Sequence, residues 1–268
     1  TIVDKLLSSL LDTGAVSALS YGNTLSMFIY TIIISAIATV YYPFVSDFIV
    51  ERKNNELKKM ISKIIMCLLI ILIPISIITC ICAEDIVSIV YGRGSFGDDA
   101  VLLTAEALRF YSVGFIFTGI REILARTFYA AGKTTIVMKN GMISMACNIV
   151  ISIIFSRIIG IGGIAMGTSV ASLIASMLLL FATKKHFNIC KIISKKKEIL
   201  KIFIATIPLV ITALLIINYA VNWGSFARFG VIVLTGCTMY LAILFFLKSE
   251  DLILIKNWVM KRIRNKGG

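Results

Sequence analysis

Charged residues are scarce in this chain, and their scarcity excludes most soluble proteins. They make up 15% of the 268 residues, whereas hydrophobic residues make up 59%. A soluble domain normally has about 25% charged and about 45–50% apolar residues. A chain of this size cannot bury so large an apolar excess in one globular core. The composition therefore excludes a soluble enzyme and a disordered tail, and it indicates an integral membrane protein.

Histidine is almost absent, and this excludes several kinds of catalytic site. The single histidine, His186, lies in a basic stretch, so neither a Ser-His-Asp nor a Cys-His arrangement is available. Of the six cysteines, all but Cys190 lie in apolar runs, and none has metal-ligand spacing with histidine. We therefore expect no enzyme.

Long uncharged apolar runs dominate the sequence. Each is long enough to cross the bilayer as a helix, which takes about 20 residues, and none alternates as barrel strands do. The sequence predicts an all-α, polytopic helix bundle that forms one transmembrane domain over 1–268. It begins with the end of a truncated span, or with a short surface helix, at 1–12. Seven full spans follow at about 14–47, 61–83, 100–130, 135–156, 160–183, 200–222 and 228–247.

Basic residues lie mainly on one side of these predicted spans. The other side has only Lys5, Arg93, Arg109, Arg157 and Arg228 of the 27 Lys and Arg residues. By the positive-inside rule, the richer side is cytoplasmic and so is the tail 248–268, either as an interfacial helix or as a solvated end. The net charge of +13 could also indicate nucleic-acid binding, but no such motif accompanies it, so we expect no nucleic acid.

A stripe of hydroxyl side chains runs along the first full span. Its members recur at intervals of three, four or seven residues, which places them on one helix face: Ser17, Ser20, Thr24, Thr31 and Ser35. Such a stripe either packs against another helix or lines an aqueous cavity.

The predicted span 100–130 carries charges close to the membrane interior. Only eleven uncharged residues separate Arg109 from Arg121, a length of about 16 Å at 1.5 Å per residue. Glu106 and Arg109 can neutralise each other at i and i+3. Arg121 and Arg126 are then candidates for contacting an anionic cargo, with snorkelling to the headgroups as the alternative for Arg126.

Three further polar residues at membrane depth offer oxygen ligands. Asp4, Asn148 and Thr168 carry a carboxylate, an amide and a hydroxyl, which are the donors that a small hard cation prefers. Their spacing alone does not bring them together.

Five motifs in unbroken order carry a family resemblance over about residues 1–185. They read GAVSALSYGNTL, AIATVYYPFVSDF, VYGRGSFGDDAVLLTAEALRFYSVGF, LARTFYAAGK and GIGGIAMGTSVASLIASMLLL. Together they resemble the MurJ (MviN-type) lipid II flippases of the multidrug/oligosaccharidyl-lipid/polysaccharide (MOP) exporter superfamily. The resemblance implies the C-terminal lobe of a two-lobed, fourteen-helix transporter, from the end of helix 7 through helix 14, in the bacterial plasma membrane.

The resemblance also implies transport without covalent chemistry. The cargo would be lipid II, an undecaprenyl-pyrophosphate-linked peptidoglycan precursor, moved to the outer leaflet by alternating access. The implied partners are this lipid-linked glycan, membrane lipids and an N-terminal lobe in the same or a separate chain. Alternatives are a flippase for another lipid-linked glycan, an inactive C-terminal fragment, or a drug/cation antiporter, which would need a further acidic residue facing the cavity.

The resemblance assigns candidate site residues and reveals two departures. A sodium ion would lie among Asp4, Asn148, Thr168 and the backbone carbonyl of Ile164, with Ser152 where the family has a second acid. The family motif A-[DN]-R-L reads Gly22-Asn23-Thr24-Leu25 here, so that Thr24 replaces the arginine expected at the pyrophosphate. Arg121 would compensate, or the cargo would be another glycan. The expected substrate contacts are Ser17, Thr24, Arg121 and Arg126.

Overall fold

A computed structural model describes most of the chain. The described residues are 4, 7–8, 14–94, 96–187, 196–220 and 223–247. The predicted tail 248–268 and most of the predicted segment 1–12 therefore lie outside the described residues. Asp4, Leu7 and Ser8 are helical.

The described ranges contain nine helices longer than one turn, which confirms the predicted all-α class. In chain order they are α1 (Ala15–Val50), α2 (Asn54–Ile81), α3 (Ala83–Tyr91), α4 (Asp98–Val113), α5 (Phe115–Ala130), α6 (Thr134–Ile159), α7 (Ile161–Phe187), α8 (Lys196–Tyr219) and α9 (Ser225–Phe246). Six of these are long and apolar enough to cross a membrane: α1, α2, α6, α7, α8 and α9.

The segment predicted as a span at 100–130 is a bent pair of helices, α4 and α5. Their axes differ by 48°, and the break falls at Gly114. Ser169 of α7 donates its hydroxyl to the Phe110 carbonyl at 2.6 Å, and the Gly114 amide donates to Tyr111 instead. A side chain that inserts into the helical ladder in this way bends the helix. A Cβ at Gly114 would lie 2.7 Å from the Ser169 Oγ, so the bend also depends on glycine.

Helices α6 and α7 meet along a seam of polar side chains. The buried polar residues of α6 recur every four positions: Asn140, Ser144, Asn148, Ser152 and Ser156. The Asn140 amide donates to the Ala175 carbonyl at 3.0 Å, and the Ser144 hydroxyl donates to the Ala171 carbonyl at 3.3 Å. Small residues and side-chain hydrogen bonds of this kind hold helices together in lipid.

Helices α1, α2 and α5 pack around a second, mainly apolar contact. Tyr41 and Phe128 are fully buried there, beside Leu72 and Ile123. The Tyr41 hydroxyl and the Thr127 hydroxyl are hydrogen-bonded at 2.7 Å, so the phenol is satisfied inside the bundle. This core fixes α5 relative to α1 and therefore orients the polar side chains of α5.

The short helix α3 carries two acidic residues that tie the bundle together. Asp85 is buried and forms a bidentate ion pair with Arg228 at the start of α9, whose Nε donates to both carboxylate oxygens at 3.0 Å. Glu84 accepts from Arg109 of α4 at 2.5 Å. The expected pairing of Arg109 with Glu106 is therefore wrong, because α3 packs against α4 and presents a closer carboxylate.

Breaking the buried pair between Asp85 and Arg228 should destabilise the protein strongly. Asp85→Ala would leave the partly buried Arg228 guanidinium without its carboxylate, a loss of about 1.5–3 kcal/mol. The matched control is Glu56→Ala, which removes an exposed pair with Lys59 worth about 0–1 kcal/mol. Thermal unfolding in detergent should show a large fall in Tm for the first variant and little change for the second. Equal shifts would contradict the assignment.

Candidate functional site

A polar cavity opens among α1, α4, α5, α6 and α7. Its volume is about 360 Å³. Its lining is unusually hydrophilic for a bundle this apolar, and the polar lining residues are Asp4, Ser20, Asn23, Tyr111, Arg121, Ser144, Asn148, Thr168 and Ser172. Polar groups at membrane depth face a water-filled space or a bound polar molecule.

The three predicted oxygen ligands, Asp4, Asn148 and Thr168, line the same cavity. Asp4 and Asn148 are both buried, with 5% and 6% of their surfaces exposed. The Asn148 amide donates to the Thr168 hydroxyl at 3.0 Å. Within the described part of the chain, the Asn148 Oδ1 accepts no hydrogen bond. A buried amide oxygen without a donor is suited to a cation, because a cation would satisfy its lone pairs.

Two other predicted features of the cation site lie just outside this lining. Ile164 is fully buried, and its carbonyl accepts a hydrogen bond from Ser152 at 3.5 Å. Neither residue lines the cavity. Among the described residues, no three or more His, Cys, Asp or Glu side chains are grouped so that they could hold a metal ion. A cation here would therefore depend mainly on neutral oxygens, with Asp4 as the charged ligand.

Arg121 supplies positive charge to the cavity. It is half-buried on α5, and nothing in the described ranges forms a hydrogen bond or an ion pair with its guanidinium. Arg126, one turn further along, instead donates to Glu122 at 3.1 Å and does not line the cavity. The two arginines that the sequence analysis grouped together thus differ. Arg126 is neutralised by Glu122, whereas Arg121 is available to an anion.

The hydroxyl side chains of the α1 stripe are exposed. Ser17 and Thr24 are exposed and lie outside the cavity lining, whereas Ser20 lies within it. The Thr24 hydroxyl donates to the Ser20 carbonyl and the Ser20 hydroxyl donates to the Val16 carbonyl, both at 2.8 Å. These hydroxyl protons are therefore satisfied within the helix, and the oxygens keep lone pairs for donors from a ligand.

Sequence reasoning missed the serines of the seam as cavity residues. Ser144 of α6 and Ser172 of α7 line the cavity beside Asn148. The four-residue spacing from Asn140 to Ser156 is the signal that would have found the α6 face. Serine in a span usually indicates helix packing, and here the same helix face serves both packing and the cavity.

The fold and the site together define a class of protein, a polytopic helical membrane protein with a polar cavity between its helices. The polar side chains that line this cavity could bind a polar molecule. The family model described as "Lipid II flippase MurJ" matches residues 1–234. The chain therefore belongs to the MurJ lipid II flippase family, and it is a multi-pass membrane protein.

Relatives and solved structures agree with this assignment. A "Probable lipid II flippase MurJ" of Thermotoga maritima is 28% identical over 94% of this chain and 50% of its own length. A second, of Buchnera aphidicola, is 26% identical over 83% of this chain and 44% of its own length. The chain thus spans about half the length of the curated relatives it matches.

A solved structure described as "Lipid II flippase MurJ, inward closed conformation" covers 94% of this chain, with a TM-score of 0.76 and 26% identity. The chain covers 50% of that structure. A MOP superfamily transporter from Pyrococcus furiosus shares the fold, with a TM-score of 0.54 at 16% identity over 89% of this chain and 58% of its own. The predicted polytopic fold and the family resemblance are confirmed.

Water should reach the cavity but not the apolar outer surface. In a cysteine-free background, Ser20→Cys in the cavity should react with a membrane-impermeant maleimide, because a thiol reacts as the thiolate, which needs water. Thr238→Cys is the matched control: it is exposed on α9, where lipid would surround it. Labelling yields in native membranes measure both. Equal labelling of the two positions would contradict a water-filled cavity.

Proposed function

We propose that this protein is the C-terminal lobe of a flippase that moves lipid II from the cytoplasmic to the outer leaflet of the bacterial plasma membrane by alternating access. Membership of the MurJ family supports the cargo class. The observation that carries the proposal is the unpaired guanidinium of Arg121 in a polar cavity at membrane depth. An anionic headgroup that entered this cavity would give the Arg121 guanidinium a charge partner, which it lacks among the described residues.

The cavity binds the headgroup and does no covalent chemistry. Arg121 receives the pyrophosphate, since a guanidinium forks onto two phosphate oxygens. Asn23 and Ser20, on the neighbouring wall, offer an amide and a hydroxyl to the same headgroup. The polyprenyl tail stays in the bilayer, because moving it through a polar cavity would expose apolar surface to water.

The proposal includes a second lobe and an orientation. An N-terminal lobe, in the same or a separate chain, would complete the cavity, and the exposed hydroxyl side chains of α1 are the surface that we propose faces it. The basic residues of the predicted cytoplasmic connections support a cytoplasmic C-terminus. Membrane lipids surround the outer faces of α8 and α9, where large apolar side chains such as Phe203, Leu234 and Phe246 are exposed.

The exposed Thr24 supports a second candidate, a flippase for a different polyprenyl-linked glycan. A threonine at the position of the family's arginine removes one bidentate phosphate contact. Thr24 instead donates to its own helix and leaves a neutral surface beside Asn23. A cargo with fewer phosphate oxygens or a larger neutral headgroup would suit this surface.

A sodium ion is the coupling ion that we propose for this lobe. Asp4, Asn148 and Thr168 would hold it, with the Ile164 carbonyl as a further ligand. The Asn148 Oδ1, which accepts no hydrogen bond within the described residues, and the buried Asp4, which lines the same cavity, support the proposal. Sodium sites in transporters combine carboxylates with neutral oxygens in this way.

Replacing Arg121 should weaken binding of the lipid pyrophosphate. A charge-assisted hydrogen bond contributes about 1.5–3 kcal/mol, so Arg121→Ala should lower affinity for polyprenyl pyrophosphate at least about tenfold. Arg121→Lys keeps the positive charge but loses the bidentate contact, so its affinity should lie between those of the wild type and of Arg121→Ala. Arg157→Ala, on an exposed position of α6, is the control. Affinities measured in nanodiscs that are unchanged in Arg121→Ala would contradict the pyrophosphate site.

Sodium should stabilise the protein through Asp4. A ligand that binds only the folded state raises Tm with its concentration. Thermal unfolding in NaCl and in choline chloride should therefore give a higher Tm in sodium. This difference should vanish in Asp4→Asn and persist in Asp98→Asn, which alters an exposed carboxylate. No difference in the wild type, or one that persists in Asp4→Asn, would overturn the sodium site.

A further inference from the structure

Three aromatic rings form a cluster at one end of α1. The ring centroid of Tyr21 lies 4.8 Å from that of Tyr91 and 5.6 Å from that of Phe96. Tyr91 and Phe96 lie 5.7 Å from each other. These are distances at which aromatic rings attract one another beyond their simple burial. Tyr21 is 42% exposed, whereas its two neighbours are half-buried.

The two half-buried rings of Tyr91 and Phe96 support the ring of Tyr21. Tyr91 ends α3 and Phe96 precedes α4, and both pack against a cluster of buried residues that includes Leu25 and Leu108. Gly22, next to Tyr21, brings α1 close to α4: a Cβ there would lie 3.0 Å from the Ala107 Cβ. The ring of Tyr21 is thus an exposed aromatic surface on a rigid support.

Polar groups rather than lipid-facing side chains surround this ring on α1. Ser17 precedes Tyr21 by one turn and Thr24 follows it by one turn, and both are exposed. The adjacent Ser20 lines the same cavity as Arg121. An aromatic ring that served only to anchor the protein at the membrane interface would lie on an apolar face. Tyr21 instead lies between the exposed hydroxyl side chains of Ser17 and Thr24.

A sugar ring matches this combination of groups. Its axial C–H bonds form an apolar face that stacks on the electron-rich face of an aromatic ring, while its hydroxyl rim donates to and accepts from polar side chains. Ser17, Ser20 and Thr24 keep free lone pairs for sugar hydroxyls, because their positions are exposed and the protons of the latter two bind backbone carbonyls. A free pyrophosphate has no such apolar face.

We propose that Tyr21, supported by Tyr91 and Phe96, is a stacking platform for a sugar ring of the lipid-linked glycan. The inference rests on the proposed function and deepens it. The pyrophosphate binds at Arg121, and the saccharide extends along α1 past Ser20 to Tyr21. The platform therefore distinguishes a glycan-bearing lipid from the bare carrier lipid, which Arg121 alone does not.

Binding of two ligands, one with sugars and one without, distinguishes the contribution of the Tyr21 platform from that of the phosphate site. Binding to the purified protein in nanodiscs is measured for lipid II and for undecaprenyl pyrophosphate, which has no sugar. Tyr21→Ala should lower the affinity for lipid II by about three- to tenfold, the strength of an aromatic stacking contact, and leave the affinity for undecaprenyl pyrophosphate unchanged. Tyr21→Phe keeps the ring and should bind lipid II nearly as the wild type does.

Tyr42→Ala is the matched control, since Tyr42 lies on the same helix and is 41% exposed. It should change neither affinity. Unchanged lipid II binding in Tyr21→Ala, or an equal loss for both ligands, would overturn the platform while leaving the proposed function intact. A wild type that binds neither ligand would instead overturn the proposed function, and the platform with it. Thermal unfolding of each variant verifies that the fold is kept.

Discussion

The polar seam between α6 and α7 is the contact on which the cavity depends. Asn140, Ser144 and Asn148 each donate to α7, and Gly167 allows the close approach, since a Cβ there would lie 2.9 Å from the Ser152 amide nitrogen. If the helices separated, these amides and hydroxyls would enter hydrocarbon, where each unsatisfied group costs several kcal/mol. The same seam fixes Asn148 and Thr168 in the cavity wall, so helix packing and ligand geometry have one physical cause.

Charge pairing inside the bundle distinguishes Arg121 from three other arginines. Arg109 and Arg228 form ion pairs with the carboxylates of α3, and Arg126 pairs with Glu122 on its own helix. The pairs of Arg109 and Arg228 connect α3 to α4 and to α9, and all three pairs neutralise guanidinium groups that a membrane would otherwise penalise. Arg121 has no such partner among the described residues and faces the cavity. Its charge is therefore the one that we propose for binding, whereas Arg109, Arg126 and Arg228 are paired with carboxylates.

Hydropathy was enough to predict the helical class, because a helix satisfies its own backbone in lipid. The position of Arg121 could also be predicted, since the short apolar stretch after Arg109 leaves it close to the membrane interior. The break at Gly114 could not, because Ser169, far along the chain, takes the carbonyl of Phe110. The Glu84 partner of Arg109 was missed for the same reason: local spacing favoured Glu106, and tertiary packing decided otherwise. The tyrosine platform likewise depends on contacts between α1, α3 and the segment before α4.

The most direct measurement is the movement of a lipid-linked glycan between leaflets. Fluorescent lipid II is placed in the inner leaflet of proteoliposomes containing the native polypeptide, and a membrane-impermeant quencher reports its arrival in the outer leaflet. The account predicts transfer faster than in empty vesicles, and faster in the wild type than in Arg121→Ala. Transfer no faster than in empty vesicles, with the helical circular dichroism of the protein intact and any partner lobe present, would contradict it.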